Sequence, residues 1–201
     1  MASVFTIGYA AFHIDDFIDV LKSHKISHLI DVRSNPVSEY FQDYNSFNLE
    51  PKLRQHNIIY ENFALEFGAR QCNKEFFSKG GCVDFEKFTQ SEQFKNGLTK
   101  IKNGLNAGTN FVLMCAEKDP INCHRSIMIA HAMQKNGIEV LHIMSDKQLQ
   151  SQSEIDKRLL ELYFSDRNQL NLFAQSSDEQ ELIEQAYKKQ NEKIGYRLEQ
   201  A

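Results

Sequence analysis

Five short apolar runs, at residues 4–7, 29–32, 58–60, 111–114 and 140–143, punctuate the chain, with helix-period stretches between them. Runs this short, bounded by turn residues, read as buried strands; apolar residues recurring every three to four positions read as amphipathic helices. Phe12, Ile14, Phe17, Ile18 and Leu21 have the helical spacing, and Asp15 and Asp16 stand where they oppose the positive end of a helix. Strand, helix and strand between residues 4 and 32 form a βαβ unit, whose crossover is right-handed and whose strands are parallel. The alternation predicts an α/β fold: a mainly parallel five-stranded sheet flanked by helices in three Rossmann-like layers.

The segments between the strands sharpen this. Residues 33–44 form a loop with Pro36 and several aromatics. A helix follows from a cap at Asn45 or Ser46 to about Gln55, in which Pro51 is tolerated only in the first turn. Residues 63–81 show no clean period and read as a second loop. Phe85, Phe88, Phe94, Leu98, Ile101 and Leu105 predict one long helix, and residues 126–136 another, closed by Gly137 as a left-handed cap. Past Ser145 the composition shifts to Gln, Glu, Lys and Ser, with helices expected over 155–164 and 179–192. Leu170, Leu172 and Phe173 suggest that part of the linker 165–178 packs. The chain divides into an α/β domain, 1–145, and a C-terminal helical extension, 146–201, either a pair of surface helices or an arm for a homodimer or another partner.

Bulk properties exclude several classes. The 201 residues suit one buried core. A net charge of −4, with 23 Lys and Arg against 27 Asp and Glu, disfavours coating of nucleic acid yet leaves room for a local basic pocket. No run is long and apolar enough for a membrane span, and no secretory leader opens the sequence, so a soluble cytoplasmic protein with no membrane partner is expected. Four cysteines, at 72, 82, 115 and 123, are too few and irregular for a disulfide scaffold and are expected as reduced thiols.

Candidate chemistry collects where strands end. With strand order 3-2-1-4-5, Gly8-Tyr9-Ala10, Asp31-Val32-Arg33 and Cys115-Ala116-Glu117 would share the crevice at the carboxyl edge of the sheet, where α/β proteins bind ligands. Gly8 supplies either an unusual backbone conformation or close approach for a ligand. Asp31 and Arg33, two positions apart, face one side, as a scaffold ion pair or as a phosphate-binding Arg33 oriented by Asp31. Cys115 is a small core residue or a nucleophile, the latter needing a depressed pKa that His124 and Arg125 could supply. Nine residues separate Cys115 from Arg125, too many for a phosphatase-type loop. Glu117 is a catalytic carboxylate or an ion-pair partner of Lys118 or Arg125. Cys123-His124-Arg125-Ser126 reads as a helix entrance aimed at an anion, or as plain capping. The spacing of Cys115, Glu117, Cys123 and His124 matches no common zinc pattern, so neither a metal nor another cofactor is expected. Tyr9, Phe41 and Tyr44 are lids over the core or a stacking surface for a base. His24, His28, His56 and His142 read as surface or satisfied core residues.

Thr6-Ile7-Gly8, Ile30-Asp31-Val32-Arg33-Ser34-Asn35-Pro36 and Cys115-Ala116-Glu117-Lys118-Asp119-Pro120, followed by Cys123-His124-Arg125-Ser126, resemble the family catalogued as domain of unknown function 488. The likeness covers roughly residues 4–143 and extends to Phe41, Asn45 and a Gly-containing segment at 65–70. Tyr9-Ala10 stands where that family commonly has His-Ser, and Glu66-Phe67-Gly68 where it has Leu-Gly-Gly. The resemblance implies a compact α/β domain that groups these polar residues, adding Ser34, Phe41 and Asn45 to the candidate site. The early Ile-Asp-Val-Arg and late strand-Cys-loop-Arg-Ser-helix arrangement is also similar to rhodanese-like domains, apart from loop length.

The leading expectation is an enzyme for a small anionic, nucleotide-like ligand. Arg33, Arg125 and Ser126 would hold the phosphate, and Glu117 with Asp31 would perform hydrolytic acid–base work. The alternatives are Cys-dependent sulfur or phosphoryl transfer, and a module that senses nucleotides or nucleic-acid ends without chemistry.

Overall fold

A computed structural model describes residues 3–165 and 179–198. Its sheet is six-stranded, made of β1 (Val4–Gly8), β2 (His28–Asp31), β3 (Ile59–Asn62), β4 (Phe111–Cys115), β5 (Val140–Ile143) and β6 (Leu149–Ser151). Five strands run parallel; β6 alone pairs antiparallel, with β5. The period-2 alternation of β1 and β4 explains the layers. Phe5, Ile7, Val112 and Met114 pack on one face under α1 (Ile14–Ser23) and α2 (Ser46–Gln55). Val4, Leu113 and Cys115 pack on the other, under α3 (Ala64–Phe67), α4 (Phe85–Thr89), α5 (Glu92–Asn106) and the later helices. Each such Leu or Ile, fully buried, contributes about 1.5–3 kcal/mol, which makes two well-filled faces the main source of stability.

The order is β3-β2-β4-β1-β5-β6, not 3-2-1-4-5. The right-handed rule fixes the hand of a crossover but not how many positions it skips, and β4 inserts between β1 and β2. The consequence favours a shared site: Cys115 lies opposite Gly8 on one side, and Met114 opposite Asp31 on the other.

Several boundaries also move. The expected long helix is broken into α4 and α5 at Ser91, whose hydroxyl accepts from the Phe94 amide at 3.2 Å and starts the second helix. Pro51 lies inside α2, past the first turn, and is exposed there, so water can satisfy the carbonyl that its missing N–H leaves open. Asn45 occupies the position before α2, but its side chain accepts from the Ser38 amide at 2.6 Å and fastens the preceding loop. The segment read as the second loop contains α3, too short for a period to show. Gly137 has φ +73° and closes the helix as expected.

The tail departs most from a simple pair of helices. It first gives the sheet β6, then α7 (Gln152–Phe164) and α8 (Glu179–Ile194). Both helices turn polar residues inward: Gln152, Asp156, Gln190 and Asn191 are buried. The reading that Leu170, Leu172 and Phe173 pack lies outside the described residues. Among the described residues, no helix is long and apolar enough to cross a membrane.

Candidate functional site

The carboxyl ends of β2, β4 and β1 deliver Asp31, Cys115 and Gly8, and a loop from β4 leads into a helical stretch that opens as a π-helical turn, Arg125–Ala130, before α6 (His131–Lys135). π-turns are uncommon and recur at functional sites. Here the turn carries Arg125 and Ser126 directly behind Cys123 and His124.

Asp31 is fully buried, and its charge is matched by Arg33. The Arg33 Nε donates to Oδ1 at 2.9 Å and Nη2 to Oδ2; the Tyr60 hydroxyl donates to Oδ2 at 2.7 Å. Nη2 also donates to the Tyr44 carbonyl at 2.8 Å. Arg33 Nη1 is buried and has no hydrogen-bond partner. The guanidinium sits over the Tyr9 ring at 5.0 Å, and Tyr9 stacks on Tyr44 at 4.5 Å with the edge of Phe41 beside it. Burial raises the Tyr9 pKa, with Arg33 pulling it down and the nearby Cys115 and Asp31 pushing it up. Tyr9 and Tyr44 therefore stack on each other, while Phe41 and Tyr40 remain exposed.

Three groups meet between β4 and the π-turn. The His124 ring lies with Nδ1 3.8 Å from the Cys115 sulfur and 3.9 Å from that of Cys123. Its Nε2 donates to the Val32 carbonyl at 2.9 Å, which leaves Nδ1 as the bare nitrogen facing the two thiols whenever the ring is neutral. Glu117 is an exposed residue whose carboxyl end turns inward, where Oε2 accepts from the Cys123 thiol at 2.7 Å. Burial opposes ionisation of Cys123, but the hydrogen bond from Cys115 and the charges of Arg125 and His124 outweigh it and hold this thiol well below its ordinary pKa. Burial pushes Glu117 upward, and once Cys123 is ionised its charge does the same, so that the carboxyl group then keeps the proton between them. Burial alone would lower His124, but the hydrogen bond and charge of Cys123 prevail and raise it.

Other expected site residues are turned inward. Arg125 is fully buried; its Nη1 donates to the Glu117 carbonyl at 2.6 Å, its Nη2 to that of Lys118 at 3.2 Å, and its Nε to Thr6 Oγ1 at 3.3 Å. It anchors the loop that carries Glu117. Gly8 has φ −105°, an ordinary conformation, so the need for glycine is space: an added Cβ would lie 1.8 Å from the same Glu117 carbonyl. The close neighbour is the protein's own loop. Ser126 is fully buried, its hydroxyl directed to Gln152 at 3.5 Å, and the amides of Ser126 and Ile127 both donate to the Cys123 carbonyl. The helix entrance thus spends those donors internally. Ser34 accepts from the Arg70 amide at 2.8 Å and ties two loops together.

The residue types match a known pattern at this scale. The sequence model of a family described as Domain of unknown function DUF488 matches residues 13–132. The chain belongs to the DUF488 family. The match takes in Asp31, Arg33, Cys115, Glu117, Cys123, His124 and Arg125, and leaves β1, β5, β6, α7 and α8 outside it. No curated protein and no solved structure matches the chain.

In this DUF488 member the parts outside the match nevertheless reach the site. Arg125 Nε donates to Thr6, whose hydroxyl faces His142 Nδ1 at 2.7 Å; His142 Nε2 faces Gln152 Oε1 at 2.6 Å. Gln152 Nε2 donates to the Tyr187 hydroxyl at 2.6 Å, and that hydroxyl to Asp156 at 2.6 Å. Read as a chain of donors, this runs from the Arg125 cation to the Asp156 carboxylate and requires a neutral His142 protonated on Nε2. Gln190 on α8 donates to the Ile121 carbonyl at 2.7 Å, two residues before Cys123. Gln152, Tyr187 and Gln190 were not singled out in the sequence, and Thr6 entered there only as part of the Thr6-Ile7-Gly8 resemblance. Each is a lone polar residue on an otherwise ordinary element, and its partner is remote in the chain.

Proposed function

We propose that this DUF488 protein is a hydrolase for a small phosphate-bearing, nucleotide-like compound, with Glu117 as the acid–base residue. The observation that carries the reading is Arg33 Nη1: a buried cationic donor that meets no acceptor at hydrogen-bonding geometry, just past the carboxyl end of β2 beside the Tyr9 ring. An unmet buried donor is costly, and an anionic oxygen of a ligand satisfies it. A cleft of about 730 Å³ at the same sheet edge is lined by Tyr40, Phe41, His13 and Lys118 together with Glu39 and Asp43; its aromatics suit a base, and Lys118 is its cation for a phosphate. Glu117 immediately precedes Lys118 of that lining, and its carboxyl group sits against Cys123. It would take a proton from water as the water oxygen attacks and return it to the departing oxygen, so that one water is consumed and one bond to the leaving group broken.

Paired cysteines beside His124 favour a second reading, sulfur or phosphoryl transfer through Cys123. Against it, loops that cradle a transferred group need free amides around the sulfur, whereas those of Ser126 and Ile127 are held by the Cys123 carbonyl. The test is turnover of a panel of nucleoside mono-, di- and triphosphates and dinucleotides. Glu117→Gln is expected to lower the rate about a hundredfold or more while the melting temperature stays within a degree or so of wild type. Full activity of Glu117→Gln on a substrate the wild type hydrolyses would overturn the proposal. Loss of turnover on alkylating Cys123, with Glu117→Gln fully active, would favour transfer chemistry.

A further inference from the structure

We infer that Cys115, Cys123 and His124 form a zinc site with a fourth position open beside Glu117. The three ligand atoms lie within 4.8 Å of one another, and all three residues are buried. Zinc–sulfur bonds of about 2.3 Å and zinc–nitrogen bonds of about 2.0–2.1 Å at tetrahedral angles separate sulfur from nitrogen by about 3.6 Å. The two sulfur–nitrogen separations here, 3.8 and 3.9 Å, are close to that and long for good hydrogen bonds. One imidazole lone pair cannot serve two thiols well, but a cation centred among the three serves all of them.

The orientation of His124 points the same way. An imidazole that binds a metal through one nitrogen almost always donates the other N–H to a carboxylate or carbonyl, which fixes the tautomer and the ring plane. Nε2 does this to Val32, and the remaining Nδ1 is the one that faces the sulfurs. Two thiolates and one imidazole suit Zn²⁺ better than hard cations such as Mg²⁺, which prefer oxygen. Binding displaces the thiol protons to solvent.

Glu117 stands outside the group of three and borders both of its cysteines, with Oε2 2.7 Å from the Cys123 sulfur. Three protein ligands with a vacant fourth place are the arrangement of catalytic rather than structural zinc, and a nearby carboxylate that is not a ligand moves the proton of the bound water. Sequence spacing did not flag the site because its ligands belong to a strand end and a helix entrance, not to one Cys-x-x-Cys turn. This inference rests on the hydrolytic reading for the role of Glu117, but the presence of zinc stands independently of it.

The experiment uses the full chain, purified without chelators, with metal measured by inductively coupled plasma mass spectrometry. One zinc per chain is expected in wild type and in Glu117→Gln, and a large loss in Cys115→Ser and Cys123→Ser. Should either serine variant misfold by circular dichroism, two measurements on wild type decide instead. Cobalt added to the stripped protein should give the intense thiolate-to-cobalt absorption and tetrahedral bands. Bound zinc should also shield Cys115 and Cys123, but not Cys72, from N-ethylmaleimide. Absence of zinc, a weak octahedral cobalt spectrum, or equal alkylation with and without zinc would each overturn the site. Zinc bound at one per chain with Glu117→Gln fully active would leave the metal site standing and remove the hydrolytic reading. Inactive Glu117→Gln with no zinc in the wild type would do the reverse.

Discussion

At the scale of single residues, the loop that carries Glu117 is held by an arginine and a glycine acting on one carbonyl. Arg125 Nη1 grips the Glu117 oxygen at 2.6 Å, and Gly8 leaves the space in which that oxygen sits. The two are interdependent: a side chain at position 8 would push the carbonyl away from the guanidinium and leave a fully buried cation short of an acceptor. Backbone lies on both sides of the clash, so no side-chain rotation relieves it. Gly8→Ala is expected to destabilise the protein by about 3 kcal/mol, the upper part of the range for overpacking. Chemical denaturation measures this, and a variant as stable as wild type would show that the loop has another way to sit. The same residues explain what the sequence could reveal. The candidate groups were visible because Cys, Glu, His and Arg crowd one strand exit. Their division of labour was not: whether Arg125 faces a ligand or two of the protein's own carbonyls depends on where a loop folds back, and Arg125 and Glu117 carry the same letters in either case.

At the scale of elements, strands and long helices were legible and junctions were not. Apolar runs over residues 4–7 and 111–114 give β1 and β4 within a residue. α3 and β6 escaped notice because four and three residues are too few to establish any period. Strand order escaped for a different reason, since hydrophobic pattern says that a strand is buried but not beside which neighbour. The role of α8 is likewise invisible locally. A helix rich in Glu, Gln and Lys looks like a surface element, yet Gln190 reaches the Ile121 carbonyl and accepts from the Tyr163 hydroxyl at 2.6 Å. Asn191 accepts from the Phe85 amide at 2.9 Å and donates to the Val83 carbonyl at 2.8 Å. These are buried amides standing in for missing backbone pairs, so α8 braces the segment before Cys123. Replacing Gln190 by Leu removes the donor and leaves a buried carbonyl and a tyrosine hydroxyl unmet, a loss of about 2 kcal/mol. Amide hydrogen exchange should then rise in residues 120–124 more than in α1, on the opposite face of the sheet. Uniform exchange across both would show that α8 stabilises the domain without bracing the site loop.

At the scale of the whole molecule, the chain of donors from Arg125 to Asp156 joins the DUF488-matched region to β1, β5, α7 and α8, and its middle member titrates. Burial, helped by the Arg125 charge, lowers His142 to about 4, against the upward pull of its bond to Gln152 and of the Cys123 charge; Arg158 adds to the lowering. An exposed histidine in the unfolded chain titrates near 6.5. Between those values the unfolded state binds the proton and the folded state does not, so stability falls as the pH drops from about 6.5 toward 4. Over that interval the loss is on the order of 3 kcal/mol for this one group. Glu117 and His124 act oppositely: both are raised in the folded state, so what they contribute is present at lower pH and fades as the pH rises through their folded values. A protonated His142 would also turn Nδ1 from acceptor to donor and set it against the Thr6 hydroxyl, which is already taking the proton of Arg125 Nε. The chain would break at its centre, loosening the hold of α7 on the sheet and of Arg125 on the loop. Urea unfolding of wild type and His142→Gln at a series of pH values from 4 to 7 measures the effect. The variant should start less stable near pH 7 and lose distinctly less on acidification, so that the two curves converge. Parallel curves would mean that some other group governs acid stability, and that the donors between Arg125 and Asp156 do not require a neutral histidine.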